Sequence, residues 1–199
     1  MRKLAAILSV FLLSACSVVP SQPAPPQRHD FGLWSAEGGR VSVPVTLASV
    51  TAPAWLDGTA IVYRDTETAP TALHQYANNE WVAPPADLLR AALERRLAEA
   101  GSTGGPSYRL RLHLMAFEQR IEGSNARVRM TLEAVLLPPS PAPASASQHR
   151  IFALERPVTP DVDGAITGLA GIAREGVARV MNWLDKQTGH SRTDQEKAE

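Results

Sequence analysis

Cysteine is nearly missing from this chain: Cys16 is the only one in 199 residues. An internal disulfide is therefore excluded, and the fold must hold without crosslinks. An excess of one charge is missing too, since 20 basic residues stand against 20 acidic ones. That balance gives no electrostatic case for nucleic acid. The first apolar run, LAAILSVFLL at 4–13, falls well short of the roughly 20 residues that a membrane-spanning helix needs.

Signatures of catalysis are also lacking. The histidines at 29, 74, 113, 149 and 190 form no pair at ligand spacing, and HExxH and CxxC are absent. No metal and no cofactor are expected. The strained G-x-S-x-G turn of serine hydrolases does not occur, and GGPS at 104–107 has no lysine and opens no helix. Asp161 and Asp163 are better placed as helix-start residues than as an acid–base pair. The chain reads as a binding protein, not an enzyme. A secreted hydrolase is the weaker alternative, and it requires a convergent Ser/His/Asp set.

What is present begins at the N-terminus. Arg2 and Lys3, the apolar run, and then Leu13-Ser14-Ala15-Cys16 form a secretory signal ending in the Leu-small-small-Cys pattern of bacterial lipoproteins. Residues 1–15 are expected to be the signal peptide and Cys16 the lipidated new terminus, carrying diacylglycerol and palmitate-type acyl chains. Ser17 is not acidic, which favours the outer membrane, with the protein facing the periplasm. Without Arg2 and Lys3 the chain keeps 18 basic residues against 20 acidic ones, a net charge near −2. SVVPSQPAPPQ at 17–27 holds four prolines and no charge, so 16–27 reads as a lipidated, proline-rich tether. Such a tether would hold a domain on the order of 30 Å from the membrane.

One domain is expected over 28–187, followed by a polar, disordered tail at 188–199. VSVPVTLASV at 41–50 alternates with period two, and Pro44 points to a free edge or a bulge. TAIVYRD at 59–65 and ALHQYANNEW at 72–81 are further short strands, the second interrupted at Asn78-Asn79. Pro84-Pro85 opens a helix with Leu89, Ala92, Leu93, Leu97 and Ala100 on one stripe, Arg96 facing elsewhere, and GSTGGP as its stop. Two long alternating strands follow, meeting at EGSN (122–125), and then a proline-rich loop at 138–147 and a strand at 149–155. Asp161 or Asp163 caps a last helix, with Ile166, Leu169, Ala173, Val177, Val180 and Leu184 on one face and Gly189 at its end. The order ββ(β)αβββα predicts an α+β fold: a mixed or antiparallel sheet with both helices on one face.

Two groups of side chains remain. Arg109, Arg111, Arg127 and Arg129 alternate with core residues and read as a solvated sheet face balanced by Glu118, Glu122 and Glu133. Trp55, Tyr63, Tyr76 and Trp81, with Pro84 and Pro85, are candidate contacts for a partner or a lipid; packing of loops over the core is the alternative.

In this same region the chain resembles a known family. VTAPAWLDGTAIVYRD and LHQYANNEWVAPPADLL are similar to the ABC-type transport auxiliary lipoproteins, the family of paraquat-inducible protein C. The matching residues are Ala52, Pro53, Trp55, Leu56, Asp57, Tyr63, Arg64, Tyr76, Trp81, Pro84, Pro85, Leu88 and Leu89, and HDFG at 29–32 resembles the Tyr-Asp-Phe-Gly domain entry with His29 in place of the tyrosine. The resemblance is dense over 50–90, and its element order fits 29–187. It implies an outer-membrane, non-catalytic component of an ABC lipid transport system with mammalian-cell-entry (MCE) domains. The implied partners are an MCE-domain protein with its permease and ATPase, and the membrane through acylated Cys16. A homo-oligomer stays open. The alternative is a structural or assembly lipoprotein that binds a protein without handling lipid.

Overall fold

The computed structural model describes residues 24–32, 41, 44–100, 107–141, 143 and 146–196, with side chains as far as 188. Cys16 and the signal segment lie outside the described residues. Seven strands and two helices follow in the order β1 (Gln27–His29), β2 (Val45–Thr51), β3 (Ala60–Asp65), β4 (His74–Trp81), α1 (Pro85–Glu99), β5 (Tyr108–Glu122), β6 (Asn125–Leu137), β7 (Gln148–Val158) and α2 (Val162–Glu196). They form one mixed sheet in the order β1-β4-β3-β5-β6-β7, with β2 also on β5. This is the expected α+β class and element order, with β1 added at the outer edge.

β5 is the spine. Its first half pairs in parallel with β2, from Val45 opposite Tyr108 to Thr51 opposite His113. Its last residues pair in parallel with β3, from Tyr63 opposite Gln119 to Asp65 opposite Ile121. β6 runs antiparallel along the other edge for the full length of the hairpin. The hairpin turns at Gly123, whose φ of 56° suits a residue without Cβ.

A bulge lies between Leu114 and Ala116. It inserts one residue, so the inward set changes phase from Leu110, Leu112 and Leu114 to Phe117 and Gln119. A second irregularity falls between Leu47 and Ser49 of β2. With β2 paired to β5 alone among the described strands, it has both the free edge and the bulge that Pro44 allowed for; the Pro44 carbonyl accepts a bond from the Tyr108 amide at 2.9 Å.

One sheet face is buried. Val128, Met130, Leu132, Ala134 and Leu136 of β6, with Phe152 and Leu154 of β7, pack against Leu169, Ala173, Val177, Val180 and Leu184 of α2. α1 covers β2 through Leu89, Ala92 and Leu93. Arg96, expected to face away, is buried and bonded to Glu99. It stands one turn beyond Leu93 and Ala92, so its stem joins their stripe. α2 continues through Gly189 to Glu196; a single glycine costs a helix only about 1 kcal/mol.

The start of α2 is fixed by Asp161. Its carboxylate accepts the Gly164 amide at 2.7 Å and the Thr159 hydroxyl at 2.9 Å. These bonds, the Gly164 amide foremost, hold the Asp161 carboxyl below the ordinary carboxylate value of 3.8. A depressed native pKa contributes stability above the unfolded value and loses it as pH falls through the native one. Asp161→Ala is expected to melt lower than the parent at pH 7. In thermal melts across acid pH, the gap should narrow below about 4 and close once the native carboxyl protonates.

Candidate functional site

The aromatic residues singled out in the sequence separate into three environments. Trp81, the last residue of β4, is 1 % exposed. It meets Phe31 edge-on at 5.3 Å and Phe117 at 5.9 Å, and Phe31 meets Phe117 at 5.6 Å. This cluster ties three distant parts of the chain together. Arg174 of α2 donates to the Phe31 carbonyl, so the entry segment after β1 is clamped by a helix that forms much later in the chain.

β1 itself is held by its neighbour. Arg28 Nε pairs with Glu80 Oε1 at 2.8 Å, His29 Nε2 contacts Asn79 Oδ1 at 2.9 Å, and the Val82 amide donates to the His29 carbonyl at 2.8 Å. Asn78 has a φ of 58°, and the β3–β4 register shifts between Ala60 and Val62. Asparagine tolerates that left-handed geometry better than most residues. The Asn78-Asn79 interruption is thus a bulge inside one continuous strand.

Tyr63 and Tyr76 form a second, half-buried cluster. Their rings are 4.5 Å apart, and His74 stacks on Tyr63 at 5.2 Å. The Tyr76 hydroxyl donates to Gln119 Oε1, and Gln119 Nε2 donates to the Thr159 and Asp161 carbonyls at 2.8 and 3.3 Å. Burial, helped by Tyr63 and Asp161, pushes the Tyr76 phenol up to about 12. Tyr76 is therefore a neutral donor that links β4, β5 and the start of α2.

Trp55 is different. Pro53 is extended at φ −68° and ψ 155°, and Ala54–Leu56 form a single 3-10 turn closed by the Leu56 amide on the Pro53 carbonyl at 2.8 Å. Leu56 turns into the core while Trp55 stays 43 % exposed. Val82, 50 % exposed, follows Trp81, whose amide bonds to the Thr59 carbonyl at 2.7 Å. Pro84 is the extended N-cap of α1, and Pro85 is its buried first residue.

On the helix-free face two arginines of the expected stripe, Arg127 and Arg129, are partnered, and by Glu155 of β7; none of the ion pairs among the described residues involves Arg109 or Arg111. Arg127 and Arg129 approach Glu155 at 3.4 and 4.0 Å, and His149 meets Glu133 at 2.7 Å. Glu118, with a side chain only 3 % exposed, is held by Arg64 at 3.3 Å and Arg120 at 2.8 Å. The sequence reading missed this triad, because its pairing depends on β3 lying beside the end of β5. Among the described residues no group of three or more His, Cys, Asp and Glu could hold a metal. No helix among them is long and apolar enough to cross a membrane.

The two tryptophans should separate in stability measurements. Trp81→Ala is expected to lose about 3–5 kcal/mol in chemical denaturation, the usual cost of emptying a buried aromatic site. Trp55→Ala should lose about 1 kcal/mol or less. Equal losses would contradict this division.

Comparison with known proteins agrees with the architecture. No curated protein matches the chain. A Xanthomonas campestris protein of the DUF330 family has the same fold, with a TM-score of 0.71 at 20 % identity over 84 % of this chain and 99 % of that one. A second solved structure, of an uncharacterized protein, matches with a TM-score of 0.57 at 19 % identity over 80 % of this chain and 99 % of the other. The family model described as ABC-type transport auxiliary lipoprotein component matches residues 34–181. With that match spanning strands, helices and the Trp55 turn, the chain belongs to the ABC-type transport auxiliary lipoprotein family.

Proposed function

We propose that the protein is an outer-membrane lipoprotein acting, without catalysis of its own, in an MCE-type ABC system that moves lipid between membranes. It docks the periplasmic MCE assembly at the outer membrane. The observation that carries this reading is the family match over 34–181. In this proposal residues 1–15 are removed, Cys16 is acylated, and the tether up to residue 27 leads into the folded domain. More than one acyl chain is needed for stable anchoring, and a diacylglyceryl cysteine supplies that. Transport is driven by the ATPase of the system, while this chain binds and positions.

The surface offered for docking is the Trp55 turn. A large aromatic that stays exposed on a short turn, backed by buried Leu56, has the makings of an interface anchor. The proline and the neighbouring strand ends hold it in place, so little conformational freedom is lost when a partner covers it.

The test is co-purification of the full chain with the MCE-domain protein of the same organism. Association is expected, weakened about tenfold or more by Trp55→Ala. No association, together with unchanged outer-membrane permeability after deletion, would contradict the proposal. In the same strain Cys16→Ala should keep the precursor mass and leave the outer-membrane fraction. A normally acylated product would refute the anchor.

A further inference from the structure

A cleft of about 490 Å³ lies between β7 and the C-terminal part of α2, away from the Trp55 turn. Its strand side is residues 150–153, and its helix side carries Arg179, Trp183 and Lys186 at helical spacing. Four strand residues extend about 13 Å, and residues 179–186 of a helix rise about 10 Å. The cleft is therefore an elongated slot of strand length.

β7 is the last strand in the sheet order, and among the described residues no strand pairs with its outer side. An open edge presents backbone donors and acceptors in a row. Pro157 near its far end cannot donate, which confines any added strand to the stretch before it. An edge strand facing a helix across a groove is the arrangement in which extended peptides add to a sheet.

The lining says what kind of segment fits. Arg150, Arg179 and Lys186 bring three cations to the slot, and no carboxylate is among its described lining residues. Arg179 also bonds Glu175 at 2.6 Å, outside the slot. Arg150 lies 5.7 Å from the Phe152 ring centre, and Phe152 meets Trp183 edge-on at 6.1 Å. Both rings are about 6 % exposed, so they close the floor, while Ile151 stays 53 % exposed at the strand side. A ligand there meets the rim charges, the Ile151 side chain and the backbone edge.

We propose that the β7–α2 cleft is a strand-addition site for an extended acidic segment of a partner protein. The segment's backbone continues the sheet at β7, and its carboxylates meet Arg150, Arg179 and Lys186. This site is separate from the Trp55 surface and does not depend on which transport system the chain serves.

The experiment uses the full chain in a non-ionic detergent and a fluorescein-labelled peptide alternating valine and glutamate. Fluorescence anisotropy should rise on binding. It should stay low when the peptide's alternate amides are N-methylated, a change that removes backbone donors and keeps every charge. The exposed pair change Arg150→Glu with Lys186→Glu should weaken binding about tenfold or more. Equal binding of the N-methylated peptide, or equal binding to the double variant, would overturn the proposal. So would failure of the peptide to bind, and a change in tryptophan fluorescence with dihexanoyl phosphatidylglycerol that Trp183→Phe abolishes would then assign the cleft to a lipid headgroup instead.

Discussion

β5 carries three pairings along its 15 residues, and the rest of the fold depends on how its edges are shared. One edge belongs entirely to β6. The other is divided between β2 and β3, which both run parallel to it. The chain must pass from Thr51, opposite His113, to Tyr63, opposite Gln119. The segment between leaves the sheet at mid-edge, near the β5 bulge at Leu114–Ala116. That detour is the Pro53–Leu56 turn, and it leaves Trp55 out while the next side chain, Leu56, enters the core. The exposure of Trp55 follows from strand arithmetic, with Pro53 stiffening the exit.

The two faces of the sheet are divided just as firmly. One face is sealed by α1 and α2 around a core that includes Phe31, Trp81 and Phe117. Burying such rings contributes much of the drive to fold a chain that has no disulfide within the domain. The other face carries ion pairs, of which Glu118 with Arg64 and Arg120 is the most enclosed. Arg127 and Arg129 share Glu155, so these arginines are partly neutralised. The β6 half of the basic stripe is thus offset by a carboxylate that arrives from the neighbouring strand.

The sequence made the β5–β6 hairpin, the two helices and their stripes legible, because period two and period 3.6 persist there for many residues. Ile166 through Leu184 of α2 is such a stripe, as is Leu89 through Leu93 of α1. Three features left no periodic mark. β1 is only three residues, and its place is fixed by contacts with Asn79, Glu80 and Trp81 far along the chain. The phase change at Met115 is invisible without the register of β6. Trp81 and Trp55 look alike as residues in a proline-rich stretch, and only the strand pairing at Thr59 and the 3-10 turn decide which one is covered. The strand-and-helix slot at β7 was equally hidden, since Arg150 and Lys186 meet only through packing.

The central claim is that an anchored, folded domain works by presenting the Trp55 turn to the MCE assembly. It is tested most directly by placing a photo-crosslinking amino acid at position 55 in living cells and identifying what is captured. The account predicts an adduct with the MCE-domain protein, absent when the crosslinker stands at an exposed position of β6 on the helix-free face, such as Arg127. Capture of that protein from Arg127 but not from position 55, or no adduct with it from either position, would contradict it.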